Sequence, residues 1–373
     1  MKVPILFFCC LSAFLASAFG ATGTEIIKYQ GESATLSARW LWAVTVARQK
    51  NNSENFWIGY TFTRLMNEKS TIGSSYSDDG MPTLRQMIDS GRTPDSARKS
   101  TVSSQTYCSG SDEQSPVKII KDIAILFRCS LSEGKQIQMS DIALSDMCLQ
   151  FDPENAPMIW LGCAEDAPSI ELLRGFYGDY RDIGLKEELI TAIALHQEKR
   201  LVGELLKNVL NSRDEDELRE KAAFWLGQQE HDEALKILRE TAQNDRSGEV
   251  REQAVFGIYC MKSKSAIDAL IDLARRARDI DVRRKAIFWL GQKASKHADE
   301  ILEEIAVNDE ETELQKQAVF ALSQLPSGKG VPGLIRVAKT HPNVKIRKKA
   351  IFWLGQCDDD RALDALIEFV KDE

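Results

Sequence analysis

Lys285-Ala286-Ile287-Phe288-Trp289-Leu290-Gly291-Gln292 decides the fold, because it recurs. It stands earlier as Lys221-Ala222-Ala223-Phe224-Trp225-Leu226-Gly227-Gln228 and later, unchanged, as Lys349-Ala350-Ile351-Phe352-Trp353-Leu354-Gly355-Gln356, a step of 64 residues each time. Halfway between sit Ala254-Val255-Phe256-Gly257-Ile258 and Ala318-Val319-Phe320-Ala321-Leu322. The true period is therefore 32, marked by Ala222, Ala254, Ala286, Ala318 and Ala350. Other positions keep the same register. Leu218, Val250, Val282, Leu314 and Ile346 precede the motif, followed by Arg219, Arg251, Arg283, Gln315 and Arg347. Leu238, Leu270, Leu302, Leu334 and Leu366 recur in the second half of the unit. A degenerate sixth unit comes first, where Leu195-His196-Gln197 matches Leu226-Gly227-Gln228 with a displacement of 31.

Each unit reads as two helices. Val282, Ala286, Phe288, Trp289 and Leu290 give the first an apolar side, and Ala266, Ile267, Ala269, Leu270, Leu273 and Ala274 do so in a second. A unit this small cannot bury that side alone, so neighbours must stack. The fold class expected is mainly α: a solenoid of about five to six two-helix repeats over residues 184–373, preceded by a smaller β-rich domain over 21–180. At one repeat position large and small residues alternate, as Trp225, Gly257, Trp289, Ala321 and Trp353. Dense packing predicts that Trp289 fills space left by Gly257 and Ala321. The recurrent arginines are expected to bond loop carboxylates or carbonyls of the adjacent unit.

Val282-Arg283, Ala286 and Leu290-Gly291 resemble the short bacterial HEAT repeats named after phycobiliprotein lyases. Thr-Pro-Leu-His of ankyrin is absent, and Trp and Leu are adjacent where the tetratricopeptide pattern separates them. With Ile123–Arg128, Trp160-Leu161-Gly162 and Ala194-Leu195-His196, the chain resembles exported bacterial HEAT-repeat proteins of unassigned function. The resemblance implies a scaffold or adaptor that binds other proteins.

The region before the repeats alternates. From Ser33 to Arg48 apolar residues fall on even positions: Ala34, Leu36, Ala38, Trp40, Trp42, Val44 and Val46. That period predicts a strand. After a turn at 50–55, Phe56, Ile58, Tyr60 and Phe62 complete a hairpin with an aromatic face, read as sheet core rather than ligand groove. Residues 67–116 read as a polar loop with a short helix at 81–90. Ile120–Cys129 and Lys135–Leu144 predict a second hairpin, and Cys148–Phe151 a further strand. Ahead of all this, Lys2, the apolar run from Ile5 to Leu15 and the small residues Ala16-Ser17-Ala18 read as a secretory leader over residues 1–20. The expected location is periplasmic or extracellular, with no integral membrane span.

Export bears on the cysteines. Of eight, Cys9 and Cys10 fall in the leader, and disulfides are expected among Cys108, Cys129, Cys148 and Cys163. The pairings favoured are Cys148 with Cys163 or Cys129 with Cys148, whereas Cys260 and Cys357 should be free, being about three repeats apart.

Little here promises catalysis. A HEAT-type metal-dependent oxidoreductase of the deoxyhypusine hydroxylase kind needs His-Glu pairs from several helices. None of His196, His231, His297 or His341 is followed by Glu, and a bilin lyase is disfavoured by export. No cofactor, metal or catalytic residue is assigned; the rival reading places an enzyme site in the N-terminal domain. The net charge of -8 disfavours nucleic acid. Basic and acidic inter-repeat edges alternate, which suits a protein partner of unknown identity. Arg284, Lys285, Lys348 and Lys349 are the candidate contact residues.

Overall fold

The computed structural model describes residues 25–31, 34–50, 55–76, 81–93, 102–107, 117–132, 136–293 and 298–371. The expected leader, Cys108 and His297 lie outside them. The chain divides into two compact units. Thr35–Ser37 and Phe62–Leu65 group with the residues from Cys163 onward, and the rest of the chain before Cys163 forms the other unit.

The first unit is built on a sheet of five strands. These are β1 (Ile26–Lys28), β2 (Asn55–Asn67), β5 (Lys118–Leu131), β6 (Ile137–Asp146) and β7 (Met158–Cys163), in the order β1-β7-β2-β5-β6. β1 runs parallel to β7, and β5 pairs antiparallel with β6 as the expected hairpin. β3 (Ile72–Tyr76) and β4 (Val102–Tyr107) pair antiparallel inside the stretch expected to be loop. α2 (Leu84–Ser90) is the short helix expected there, closed by a Thr83–Gln86 capping box. Residues 148–151 form no strand beyond an isolated Thr83–Gln150 bridge.

The central strands are buried on both faces, which explains the unbroken apolar run Ile123–Phe127. On one face Leu84, Met87 and Ile88 of α2 join Trp57, Ala124, Leu126, Met158 and Trp160. On the other, Phe127 meets Trp40 edge to face at 5.2 Å and lies beside Tyr60. The β2 aromatics are therefore core, as expected.

Trp40 belongs to a helix, and this corrects the expected strand at 33–48. α1 runs from Leu36 to Lys50. Leu36, Trp40 and Ala43 are its buried positions, spaced i, i+4 and i+7. The even-numbered alternation shares Leu36 and Trp40 with that stripe but misses Ala43, while Leu41 faces outward. Fifteen residues without a turn signal suit a helix better than a strand.

The second unit is helical. Ahead of the expected repeats lies α3 (Asp166–Asp179). Six helix pairs follow among the described residues. The first is α4 (Ile183–Ala194) with α5 (Lys199–Leu210), the degenerate unit. The others are α6 (Asp216–Gly227) with α7 (Asp232–Asn244), α8 (Gly248–Cys260) with α9 (Lys264–Arg276), α10 (Ile280–Gln292) with α11 (Ala298–Asn308), α12 (Thr312–Gln324) with α13 (Val331–Thr340), and α14 (Val344–Leu354) with α15 (Asp360–Lys371). First helices pack on neighbouring first helices from α4 to α14, and second helices touch one another more sparsely.

The 64-residue motif has a packing reason. A Cβ built on Gly227 would fall 2.6 Å from Gly257 Cα, and one on Gly291 2.9 Å from Ala321 Cα. Backbones thus meet between α6 and α8 and between α10 and α12, while α8 with α10 and α12 with α14 pack less closely. The repeats stack in twos. The expected partner of Trp289 is corrected accordingly. The space at Gly257 is taken by the Ala223 carbonyl and Leu238, and Trp289 lies against Phe256 and Tyr259, half-buried.

Candidate protein-interaction surface

Every first helix from α6 to α14 carries a phenylalanine at the same place: Phe224, Phe256, Phe288, Phe320 and Phe352. Every second one adds a tryptophan. The rings form a ladder across the helices. Phe224 stacks on Phe256 and Phe288 on Phe320, both at 6.2 Å between centroids. Phe256 meets Trp289 and Phe320 meets Trp353, both at 4.9 Å. Edge-to-face contacts inside each helix, Phe224–Trp225, Phe288–Trp289 and Phe352–Trp353, link the steps. Tyr259 stacks on Trp289 at 4.3 Å. Trp225 is buried, but the other rings stay partly accessible.

Charge varies along this face. Asp216, Glu217, Glu220, Glu249 and Glu252 make α6 and α8 acidic. Burial, then Glu217, Glu249 and Asp216, raise the Glu220 carboxyl above its ordinary pKa. Arg284, Lys285, Lys345, Lys348 and Lys349 make α10 and α14 basic. The four candidate contact residues all lie on these first helices. Arg284 pairs with Asp281 at 2.8 Å within α10, and Lys285 reaches Glu252 of α8 at 2.8 Å. Lys349 lies over the rings of Phe352 and Trp353, and Lys348 is exposed. The structure gathers two on α10 and two on α14, with α12 between. The phenylalanine ladder escaped the reading of the sequence, which weighed only the tryptophans. Its signal was the 32-residue recurrence of Phe inside the quoted motifs.

The recurrent arginines hold neighbouring units together. Arg219, fully buried, donates to both Asp245 carboxylate oxygens at 2.8 and 2.7 Å. Arg251 pairs with Asp279 at 2.5 Å, Arg283 pairs with Asp309, and Arg347 donates to the His341 carbonyl at 2.7 Å. The second helices are linked by their own row of pairs: Arg239–Asp272, Arg275–Glu304, Arg336–Glu303 and Lys339–Glu368. Much of the basic charge is thus spent on the stack.

Each described histidine has a ring nitrogen bonded to the backbone. His231 Nδ1 accepts from Ala234 N at 3.1 Å as a helix cap, and His341 Nδ1 accepts from Asn343 N at 3.1 Å. His196 is buried between Ser169 and the end of α4. Among the described residues no three or more His, Cys, Asp or Glu side chains converge on a metal position. A cavity of about 370 Å³ at α5 and α7 is lined by Lys207, Arg219, Glu240, Asp245 and Arg246. Cys129 and Cys148 are free thiols, so neither favoured disulfide forms. Cys129 is buried inside β5, facing Met139 in register, while Cys148 is exposed beyond the end of β6. Cys163 donates to the Ala164 carbonyl at 3.7 Å, and Cys260 and Cys357 are free.

The family model described as HEAT repeats matches residues 203–291 and 267–339, and that of the PBS lyase HEAT-like repeat matches residues 346–372. The repeats are HEAT repeats. Among solved structures, the chain is similar to the complex of CpcE and CpcF of phycocyanin lyase from Nostoc (22% identity, 44% of this chain and 65% of that one, TM-score 0.30). It is also similar to human deoxyhypusine hydroxylase (18% identity, 53% and 88%, TM-score 0.27). A third is the YibA protein of E. coli (17% identity, 54% and 81%, TM-score 0.33). The chain thus spans 65% of the length of the phycocyanin lyase chain it matches. A comparison with curated proteins gave no match. HEAT repeats make this unit a repeat-based scaffold of the kind that binds proteins. Among the described residues no helix is long and apolar enough to cross a membrane.

Proposed function

We propose that the chain is an exported scaffold or adaptor that binds another exported or envelope protein along the ring-bearing face of α6 to α14. The observation that carries this reading is the aromatic ladder. A ring needed only for packing gains most from full burial, yet Phe224, Phe256, Phe288, Phe320, Phe352, Trp289 and Trp353 stay partly accessible. Aromatic and arginine side chains on a rigid, regular frame are the groups that dominate protein interfaces. Arg284 and Lys285 on α10, with Lys348 and Lys349 on α14, supply the charged rim. Export rests on Lys2 and the apolar run Ile5–Leu15.

Affinity capture from an envelope extract tests the binding. The mature protein should retain a specific partner, and an Arg284→Glu, Lys285→Glu variant should lose it while keeping its helical circular dichroism. Retention by both, or by neither, overturns the reading. N-terminal sequencing of the mature chain tests export: a start after Ala18 or Gly20 is expected, and an intact Met1 overturns it.

A further inference from the structure

The repeats stack in twos, and the looser joints between the twos need side chains to fill them. At the tight joints, α6–α8 and α10–α12, Gly227 and Gly291 bring the backbones together. In the repeat register the place of those glycines is held at the loose joints by His196 (α4–α6), Tyr259 (α8–α10) and Ser323 (α12–α14). Gln229, Lys293 and Cys357, in steps of 64 residues, close the same joints from the other side.

Two of the three joints are filled. Gln229 Nε2 donates to the Ala194 carbonyl at 3.2 Å. Lys293 Nζ donates to the Tyr259 carbonyl and, at 2.6 Å, to the Met261 carbonyl. The ammonium also lies 5.0 Å from the centre of the Tyr259 ring, which stacks on Trp289. Burial lowers the Lys293 pKa, opposed by Cys260 and the Glu230 carboxylate.

The α12–α14 joint has the same backbone and smaller side chains. α8 and α12 end alike: Met261 N donates to the Ile258 carbonyl at 3.2 Å and Leu325 N to the Leu322 carbonyl at 3.3 Å, both residues extended. The Ser323 and Leu325 carbonyls therefore stand where those of Tyr259 and Met261 stand. The Ser323 hydroxyl donates back to the Phe320 carbonyl at 2.7 Å, and the Cys357 thiol to the Trp353 carbonyl at 3.2 Å, so neither side chain crosses the joint. Trp353 keeps Phe320 and the Lys349 ammonium beside it but lacks the ring that Tyr259 lays on Trp289. A cavity of about 230 Å³ remains, with Ser323, Leu325, Trp353, Cys357, Asp358 and Asp359 in its wall. Drug-sized ligands occupy about 300–1,000 Å³, so this space suits one side chain or a small molecule. Asp359 is already bound by Arg361, at 2.9 and 2.6 Å. Asp358 has no ion pair among the described residues. Burial, then Asp359, raise the Cys357 pKa, so the thiol stays neutral.

We propose that the α12–α14 cavity binds an alkylammonium group from outside the stack, its charge on the Ser323 and Leu325 carbonyls and Asp358 and its stem against Trp353, as Lys293 serves the α8–α10 joint from within. A partner's lysine side chain and a free amine share this chemistry. The site uses neither Arg284 nor Lys285, so binding there is independent of the face proposed above.

Titration of n-butylammonium chloride into the full chain, with the tryptophan indole N–H signals followed by NMR, tests it. The Trp353 signal should shift and saturate. Neither n-butanol nor sodium chloride at matched ionic strength should reproduce the shift. Cys357→Lys supplies the ammonium from within and should weaken binding at least ~tenfold, equivalent to ~1.4 kcal/mol, with unchanged circular dichroism. Tyr259→Ser with Lys293→Cys opens the α8–α10 joint and should give Trp289 a saturable response of its own, a gain that misfolding cannot supply. Nα-acetyl-lysine methylamide separates the sources: binding as tight as that of butylammonium fits a lysine of a protein, and its exclusion restricts the site to free amines. A Trp353 signal that never saturates, one that butanol moves equally, or a Cys357→Lys variant that binds like the wild type overturns the proposal. So does a folded Tyr259→Ser, Lys293→Cys variant in which Trp289 does not respond.

Discussion

The two ends of the helical stack make a controlled comparison, because both are built from the same repeat. At the first end, Phe62 is fully buried and stacks on His196 at 4.0 Å between ring centroids, with 17° between planes. Leu65 N donates to the Gln197 side chain at 2.8 Å, and Arg64 donates to the Leu195 carbonyl. Phe62–Leu65 is contributed from far back in the chain and groups with the helices. At the last end, Ile351, Phe352 and Val370 stand exposed. The difference shows where burial comes from in a solenoid: a helix supplies an apolar face, and its neighbour decides whether water reaches it.

The sharpest test truncates one ring at each end. Phe62→Ala should cost about 3–5 kcal/mol, the usual range for a buried aromatic. Phe352→Ala should cost less than about 1 kcal/mol, as surface substitutions do. Urea unfolding measures both. Equal costs would mean that the two ends are equally covered, and the comparison would fail.

The covered end should also titrate. Burial lowers the His196 pKa from 6.5 to about 4, opposed by the nearby Asp166 carboxylate and the carbonyls of Ile193 and Ala192, and assisted by Arg64. The folded chain therefore keeps this imidazole neutral where the unfolded chain protonates it. Stability from this group is complete above pH 6.5 and is lost as pH falls toward 4. The loss should approach roughly 3 kcal/mol, at about 1.4 kcal/mol per pH unit. His196→Asn should flatten the wild-type slope of unfolding free energy across that window. Parallel slopes for the two proteins would sink the claim.

The repeats could be read from sequence because the chain is its own alignment: Ala222 and its four successors set the register, and the arginine after each apolar residue announced a bond to the next loop. Those bonds are found, from Arg219 with Asp245 to Arg347 with the His341 carbonyl. The N-terminal unit offers no second copy for comparison. Leu36, Ala38, Trp40, Trp42, Val44 and Val46 alternate as a strand does, but Leu36, Trp40 and Ala43 also fit a helix, and the fifteen-residue length of the run favours the helix. β3 and β4 sit in polar sequence where no alternation marks a strand. On the candidate face, Lys285 and Lys349 recur with Lys221, while Arg284 and Lys348 stand where α6 has Glu220. The phenylalanines were hidden by their regularity, since a position that never varies reads as core. The bare end was hidden for another reason: Ile351 and Ile287 are the same residue in the same motif, and only a neighbour separates them.

The smallest effect refines the comparison to one methyl group. A Cβ on Gly227 would lie 2.6 Å from Gly257 Cα, so Gly227→Ala must push α6 and α8 apart. Overpacking of this sort costs about 1–3 kcal/mol, against which the better helix propensity of Ala returns up to ~1 kcal/mol. Gly355 holds ordinary helical angles, φ -64° and ψ -15°, and has nothing from another helix within 4 Å. Gly355→Ala should therefore be neutral or stabilising by up to ~1 kcal/mol. Urea unfolding of Gly227→Ala and Gly355→Ala beside the wild type measures both. A deficit for Gly355→Ala as large as that for Gly227→Ala would mean that another helix packs on Gly355 as α8 packs on Gly227, and the comparison would fail.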